Sequence, residues 1–303
     1  MRRVLVTGAS GFIGRWALRF LLERGYEVHL GGRHRCPDGA ARIHWHDIDL
    51  LQSGEPTRLI REIRPSHLLH LAWYAAHGLF WNAPENLPFV AASIELLRAF
   101  RESGGQRIVA AGSCAEYDWR HGYCTEGVTP LEPATLYGAA KDALRRLVEV
   151  YSRDGSLSWA WGRPFLLYGP HEHPQRLIPS AIRSMLAAKA TRLSHGRQLR
   201  DFMHVEDVAS ALVALLDSKV EGPVNIASGV ATSIREVTGE LARILGTSEL
   251  LEFGAIEDGP NDPPVLLAND RRLREEVGFQ ARWSLKDGLC DAIEWWKSQE
   301  QGE

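Results

Sequence analysis

The chain has 303 residues, a formal charge of -3 and ordinary apolar, aromatic and charged fractions of 45%, 9% and 24%, enough for one large domain or two modest ones with a substantial core. So small a net charge gives no broad pull toward nucleic acid or membrane, and any bound anion must be held locally. Four scattered cysteines, Cys36, Cys114, Cys124 and Cys290, form no CxxC pair, which argues against a zinc or disulfide framework and for reduced thiols.

Met1-Arg2-Arg3 leads into an apolar strand within three residues, and no apolar run approaches ~20 residues. A cytoplasmic protein that does not associate with membranes is therefore expected. In chain order, a strand over Val4 to Thr7 precedes a helix over Phe12 to Arg24, and a second strand runs from Glu27 to Leu30. A helix over Leu59 to Arg64 leads to a strand over His67 to Ala72, and a helix over Leu87 to Glu102 leads to a strand over Arg107 to Ala111. This alternation predicts an α/β fold with a doubly wound parallel sheet of Rossmann type, whose ligand crevice lies at the strand carboxyl ends. Beyond about Arg163, proline-rich loops separate helices at Val205 to Leu216 and Ser233 to Leu245. Residues 1–169 are thus read as the dinucleotide-binding domain and 170–303 as a smaller mixed α/β lobe, with the chain free to cross between them. Leu285, Leu289, Ala292, Ile293 and Trp296 share one stripe of a final helix packed on the body. Trp295-Trp296 reads as ordinary buried aromatic surface before an interface anchor.

After the first strand the glycines recur as Gly8-x-x-Gly11-x-x-Gly14. Small residues there permit a tight strand-to-helix turn and let a pyrophosphate approach the helix N-terminus, where unpaired N–H groups favour negative charge. The second strand ends in Gly31-Gly32-Arg33, where NAD sites normally carry an acidic residue for the ribose hydroxyl. Without that carboxylate, and with Arg33 and Arg35 nearby, NADP(H) is favoured over NAD(H).

Tyr137 and Lys141 stand at i and i+4, on one helix face. An adjacent ammonium stabilises a phenolate, turning the phenol into a proton donor or acceptor near neutrality. Ser113 follows the strand over Arg107 to Ala111, at a carboxyl end, where its hydroxyl can bond a substrate oxygen.

Together these residues resemble the extended short-chain dehydrogenase/reductase family of nucleotide-sugar epimerases, dehydratases and ketoreductases. The resemblance rests on Thr7 to Gly14, His70-Leu71-Ala72, Ser113 with Tyr117, Tyr137 to Lys141, Arg163-Pro164 through Tyr168-Gly169-Pro170, Arg200 to Val208, and Asn225 to Gly229. It implies a catalytic Ser113, Tyr137 and Lys141. It also implies a cofactor held by Gly8, Ser10, Gly11, Phe12, Ile13 and Gly14, with Asp47 and Ile48 near the adenine and Leu71 and Ala72 alongside. Arg200 is implied to grip the diphosphate of a nucleotide sugar held in the C-terminal lobe, with Ser113, Cys114, Arg176 and Asp262 as further candidate substrate contacts. The helices Leu87 to Glu102 and Leu136 to Tyr151 resemble those of a four-helix homodimer interface.

Departures discriminate within the family. Cys114-Ala115 follows Ser113 where dehydratases resemble one another in Asp and Glu, leaving no carboxylate for elimination. Cys114 lies one position after Ser113 rather than two, and the position of a distal acid–base histidine is Arg176, which argues against an epimerase of the GDP-fucose-synthase type. A second phosphate-gripping arginine is replaced by Gly259 in Gly259-Pro260-Asn261-Asp262, and the usual helix asparagine before Leu96-Leu97 is missing.

His44-x-His46 and His171-x-His173 are read as surface or crevice histidines, and no metal is expected. Arg192, Arg197 and Arg200 fit a local diphosphate site better than nucleic acid. The leading expectation is an NADP-dependent 4-ketoreductase acting on a nucleoside-diphosphate 4-keto-6-deoxy sugar. The alternatives are a C4 epimerase with tightly held cofactor and a non-catalytic NADP-sensing regulator.

Overall fold

The computed structural model describes residues 2–33, 42–259 and 262–300; Arg35, Pro260 and Asn261 lie outside them. The first half runs β1 (Arg3–Thr7), α1 (Gly14–Glu23), β2 (Glu27–Gly32), β3 (Ile43–Asp47), α2 (Glu55–Ile63), β4 (His67–His70), α3 (Asn86–Glu102) and β5 (Arg107–Ala111). It continues through β6 (Tyr123–Cys124), α4 (Leu136–Tyr151), β7 (Ser158–Pro164), β8 (Leu166–Tyr168), α5 (Leu177–Leu186), β9 (Thr191–Leu193), β10 (Leu199–His204) and α6 (Val205–Asp217). The chain ends with β11 (Gly222–Ile226), β12 (Ala231–Ser233), α7 (Ile234–Leu245), β13 (Leu251–Phe253), β14 (Val265–Ala268) and α8 (Leu285–Glu300).

Seven parallel strands form the main sheet in the order β11-β7-β5-β4-β1-β2-β3. Alternation along β1 explains both faces. Val4 and Val6 turn toward α1 and α6, where they meet Ala17, Leu21, Val208 and Leu212. Leu5 turns the other way, into the layer that includes Leu59, Leu96, Phe100, Leu144 and Val148 of α2, α3 and α4. The strand order reverses direction between β1 and β4, and a crevice opens there at the carboxyl ends. This is the doubly wound fold expected from the alternation.

The smaller lobe has a mixed sheet, β12-β10-β14-β6, with β8 also paired to β10, and a two-stranded ribbon of β9 and β13. Helices α5, α7 and α8 close over it around Ile182, Val237, Leu241, Leu289, Ile293 and Trp296. Helix α6 covers the main sheet and β11 completes its edge beside β7. No helix among the described residues is long and apolar enough to cross a membrane.

Element ends moved where local chemistry outweighs periodicity. The first helix starts at Gly14 rather than Phe12, because the glycine turn occupies the preceding residues. Strand β3 escaped the sequence pattern because Ile43-His44-Trp45-His46-Asp47 is a half-exposed edge strand without an apolar run.

His70 ties the two central strands to α3: Nδ1 lies 2.7 Å from Thr7 Oγ1 and Nε2 lies 2.8 Å from Ser93 Oγ. Burial pushes its imidazole down to about 3, with the Lys141 charge acting in the same direction. An unfolded imidazole takes its proton near ~6.5, so between that pH and about 3 the unfolded chain binds the extra proton. His70 therefore contributes stability that declines as the medium is acidified. Urea unfolding at pH 6.5, 5.5 and 4.5 should show that His70→Gln loses less stability on acidification than the parent, by up to ~1.4 kcal/mol per pH unit.

Candidate functional site

A cleft of about 1230 Å³ runs from the glycine turn across the carboxyl ends of the main sheet to the smaller lobe. Gly8 turns with φ +74°, and a Cβ there would stand 2.7 Å from the Ala72 backbone nitrogen. A Cβ on Gly14 would stand 2.2 Å from the Gly8 carbonyl oxygen, so α1 can pack this closely on β1 only with glycine at that position. No side chain caps the start of α1 and no acidic residue occupies its first turn. The helix end facing the cleft is thus left for an anion, and the cradle fits a dinucleotide pyrophosphate.

Gly8, Ser10, Gly11, Phe12, Ile13, Gly14, Arg33, Ile48, Leu71 and Ala72 all line this cleft, as do Ser113, Cys114, Tyr137, Lys141, Arg176, Arg200 and Asp262. Asp47 stands apart: it ends β3 exposed, while Ile48 and Asp49 form that part of the wall. Successive residues of an extended chain face opposite sides, so Ile48 pointing inward turns Asp47 outward.

Lys141 and Tyr137 occupy one face of α4, whose start is capped by Thr135 Oγ1 accepting from the Gly138 amide at 3.2 Å. The Lys141 ammonium donates to the Ala111 carbonyl at the end of β5 (2.7 Å) and lies 3.8 Å from the Trp73 ring centre. Burial pushes it down to about 7 against the opposing pull of Glu116. The Tyr137 ring is held edge-on by Phe80 and Trp81; burial pushes its phenol upward, and the Ser113 hydroxyl acts in the other direction. Burial favours the neutral form of both groups, and the Arg176 guanidinium draws the phenol the other way.

Ser113 is positioned by a buried network that sequence reasoning missed. It starts a short turn as one half of a capping box: its hydroxyl accepts from the Ala115 amide (3.1 Å), and Glu116 accepts from the Ser113 amide (2.8 Å). The same carboxylate accepts from Trp161 Nε1 (2.8 Å) and Arg163 Nε (2.7 Å). Arg163 also donates to the Tyr117 hydroxyl (3.0 Å), which donates to Asn225 Oδ1 (2.8 Å). The signal was legible as Ser113-x-x-Glu116, a capping pattern.

On the substrate side, Arg200 is buried on β10 and ion-paired with Asp262. Arg176 immediately precedes α5, 4.0 Å from the carboxylate of Glu172. Glu172 is another residue the sequence did not single out. It is 5% exposed, one of its oxygens has no partner, and burial pushes it up to about 8. Cys114 is buried and its thiol is pushed up to about 12 by burial, so it is no acid–base group near neutrality. Trp73, Phe80, Trp81 and Trp119 wall the reacting end, and Trp295 and Trp296 of α8 reach the cleft as well.

The family model described as "NAD dependent epimerase/dehydratase family" matches residues 4–227. The UDP-glucose 4-epimerase of Mycolicibacterium smegmatis is 27% identical, with 99% of this chain and 100% of that protein covered. Among solved structures, MoeE5 in complex with UDP-glucuronic acid and NAD superposes with a TM-score of 0.83 at 32% identity, covering 98% of this chain and 99% of that one. The Thermus thermophilus UDP-glucose 4-epimerase in complex with NAD gives 0.84 at 25% identity, covering 97% and 99%.

Removing charge from the buried network should be costly. Glu116→Gln leaves the Arg163 guanidinium, 1% exposed, without its counter-ion. A loss of about 3–5 kcal/mol in urea unfolding is expected.

Proposed function

We propose that this chain, which belongs to the NAD-dependent epimerase/dehydratase family, inverts C4 of a nucleoside-diphosphate sugar by transient oxidation and re-reduction. It is an oxidoreductase of the extended short-chain dehydrogenase/reductase type. One observation carries the C4 reading: Ser113, Tyr137 and Lys141 line one cleft together with the glycine turn. A carboxylate pair for elimination is missing after Ser113, and Cys114 is held as a neutral thiol. Full-length similarity to a UDP-glucose 4-epimerase supports the same order, and on that basis the epimerase ranks ahead of the 4-ketoreductase that the sequence put first.

A bound nicotinamide dinucleotide supplies a reversible hydride acceptor. Tyr137 takes the proton of the C4 hydroxyl as the carbonyl forms and returns it on re-reduction. Ser113 donates a hydrogen bond to that oxygen, and Lys141, fixed by the Ala111 carbonyl, orients the cofactor ribose and favours the phenolate. Arg200 and Arg176 are assigned to the substrate's diphosphate, with Asp262 steering Arg200.

The NADPH-dependent 4-ketoreductase remains the second reading on one observation: β2 ends in Gly31, Gly32 and an exposed Arg33 with no acidic residue, all lining the cleft. A homodimer through α3 and α4 is supported by exposed Leu87, Ile94, Leu147 and Val150 on those helices.

Incubation with UDP-glucose or another nucleoside-diphosphate hexose should give the C4 epimer, read by NMR, with no net change at 340 nm. Stoichiometric NADPH consumption on a 4-keto substrate would instead establish the reductase. Tyr137→Phe should lower turnover ~10²–10⁴-fold with little effect on substrate binding. The ratio of NADH to NADPH dissociation constants should fall toward one in Arg33→Ala if that guanidinium holds a 2'-phosphate, and stay unchanged if it does not.

A further inference from the structure

His44-x-His46 alone suggested no metal, but the fold brings it beside Glu27-x-His29. Strands β2 and β3 pair in parallel with His29 opposite His44. Side chains two apart on a strand share a face, so Glu27, His29, His44 and His46 gather on one side of the sheet edge. This place is distinct from the cleft, whose wall includes none of the four.

The distances suit coordination. Glu27 Oε1 lies 3.3 Å from His29 Nε2 and 3.6 Å from His44 Nε2. All three ligand atoms fall within 4.8 Å of one another, and among the described residues no other group of three does so. A tetrahedral ion with bonds of about 2.0–2.1 Å has ligands about 3.3–3.5 Å apart. The other Glu27 oxygen faces Arg3 Nε at 3.4 Å, which leaves Oε1 for an ion.

Further contacts orient the central ligand. His29 Nδ1 is 3.0 Å from His46 Nε2, and His46 Nδ1 is 3.6 Å from Glu62 Oε1 of α2. Such an outer imidazole and carboxylate fix which ring nitrogen of His29 presents its lone pair.

We propose that Glu27, His29 and His44 bind one divalent transition-metal ion of the zinc class, with solvent completing the coordination. Two imidazoles and one carboxylate select Zn²⁺, Co²⁺ or Ni²⁺ over Mg²⁺ and Ca²⁺, which prefer oxygen shells. The ion would clamp β2 to β3, the strands whose far ends carry Gly31, Arg33 and Ile48 into the cleft.

Calorimetric titration of the full chain, free of any affinity tag, with ZnCl2 alone should show one saturable site, with a dissociation constant on the order of micromolar or below. His44→Gln and Glu27→Gln should each weaken it at least tenfold, while MgCl2 gives no saturable binding. His44 is half-exposed, so its variant should keep the metal-free urea midpoint, and Zn²⁺ should raise the melting temperature of the parent but not of this variant. The proposal is overturned if no saturable Zn²⁺ binding appears below about 1 mM, or if both variants bind as the parent does. Neither result touches the assignment of Tyr137, whose variant is read by turnover.

Discussion

The Glu116–Arg163 ion pair, buried between β5 and β7, is the contact on which the reacting end of this molecule depends. A charged pair taken out of water stabilises a fold only when nearly every lone pair and proton finds a partner. Here the carboxylate satisfies the Ser113 amide and the Trp161 indole while it meets the guanidinium. One anion thereby sets the turn that aims Ser113, the strand that carries Arg163, and through Tyr117 and Asn225 the edge strand β11. The serine hydroxyl is consequently held by a rigid interior rather than by a surface loop.

The same logic of packing before chemistry runs through the cofactor cradle. Gly8 and Gly14 let β1, α1 and the Leu71-Ala72 backbone approach more closely than side chains allow, and only then does the α1 terminus face the cleft. Lys141 reaches across to the end of β5 and lies against Trp73, in an environment dry enough to weaken its own charge.

What the sequence made legible was local. Tyr137 and Lys141 sit four apart on a helix, Gly8 to Gly14 follow a strand, and Ile108 to Ala111 are apolar in a row; each is a pattern of neighbours in the chain, and the elements stand where expected. What it hid was assembled from distant segments. Trp73, Phe80, Trp81 and Trp119 form one wall although they span two loops, and no spacing announces that. Glu172 looked like a loop residue among histidines until burial deprived one of its oxygens of a partner. Strand β3, polar and at an edge, concealed both itself and the histidine cluster it shares with β2. Asp47 was expected near the adenine, yet strand alternation gives that wall to Ile48.

The return of the chain to the main sheet through α6 and β11 constrains how the molecule is made. The last strand of the sheet is synthesised only after residues 170–221, which include β9, β10 and α5 of the other lobe. Until β11 arrives, β7 remains an open edge, and until α6 arrives, Leu69, Val109 and Ala160 lack its cover on one face. A nascent chain released from the ribosome at residue 169 would thus expose a sticky sheet edge and a bare apolar face. The two lobes share a single act of folding, which leaves little room for evolution to exchange one substrate lobe for another as an intact block.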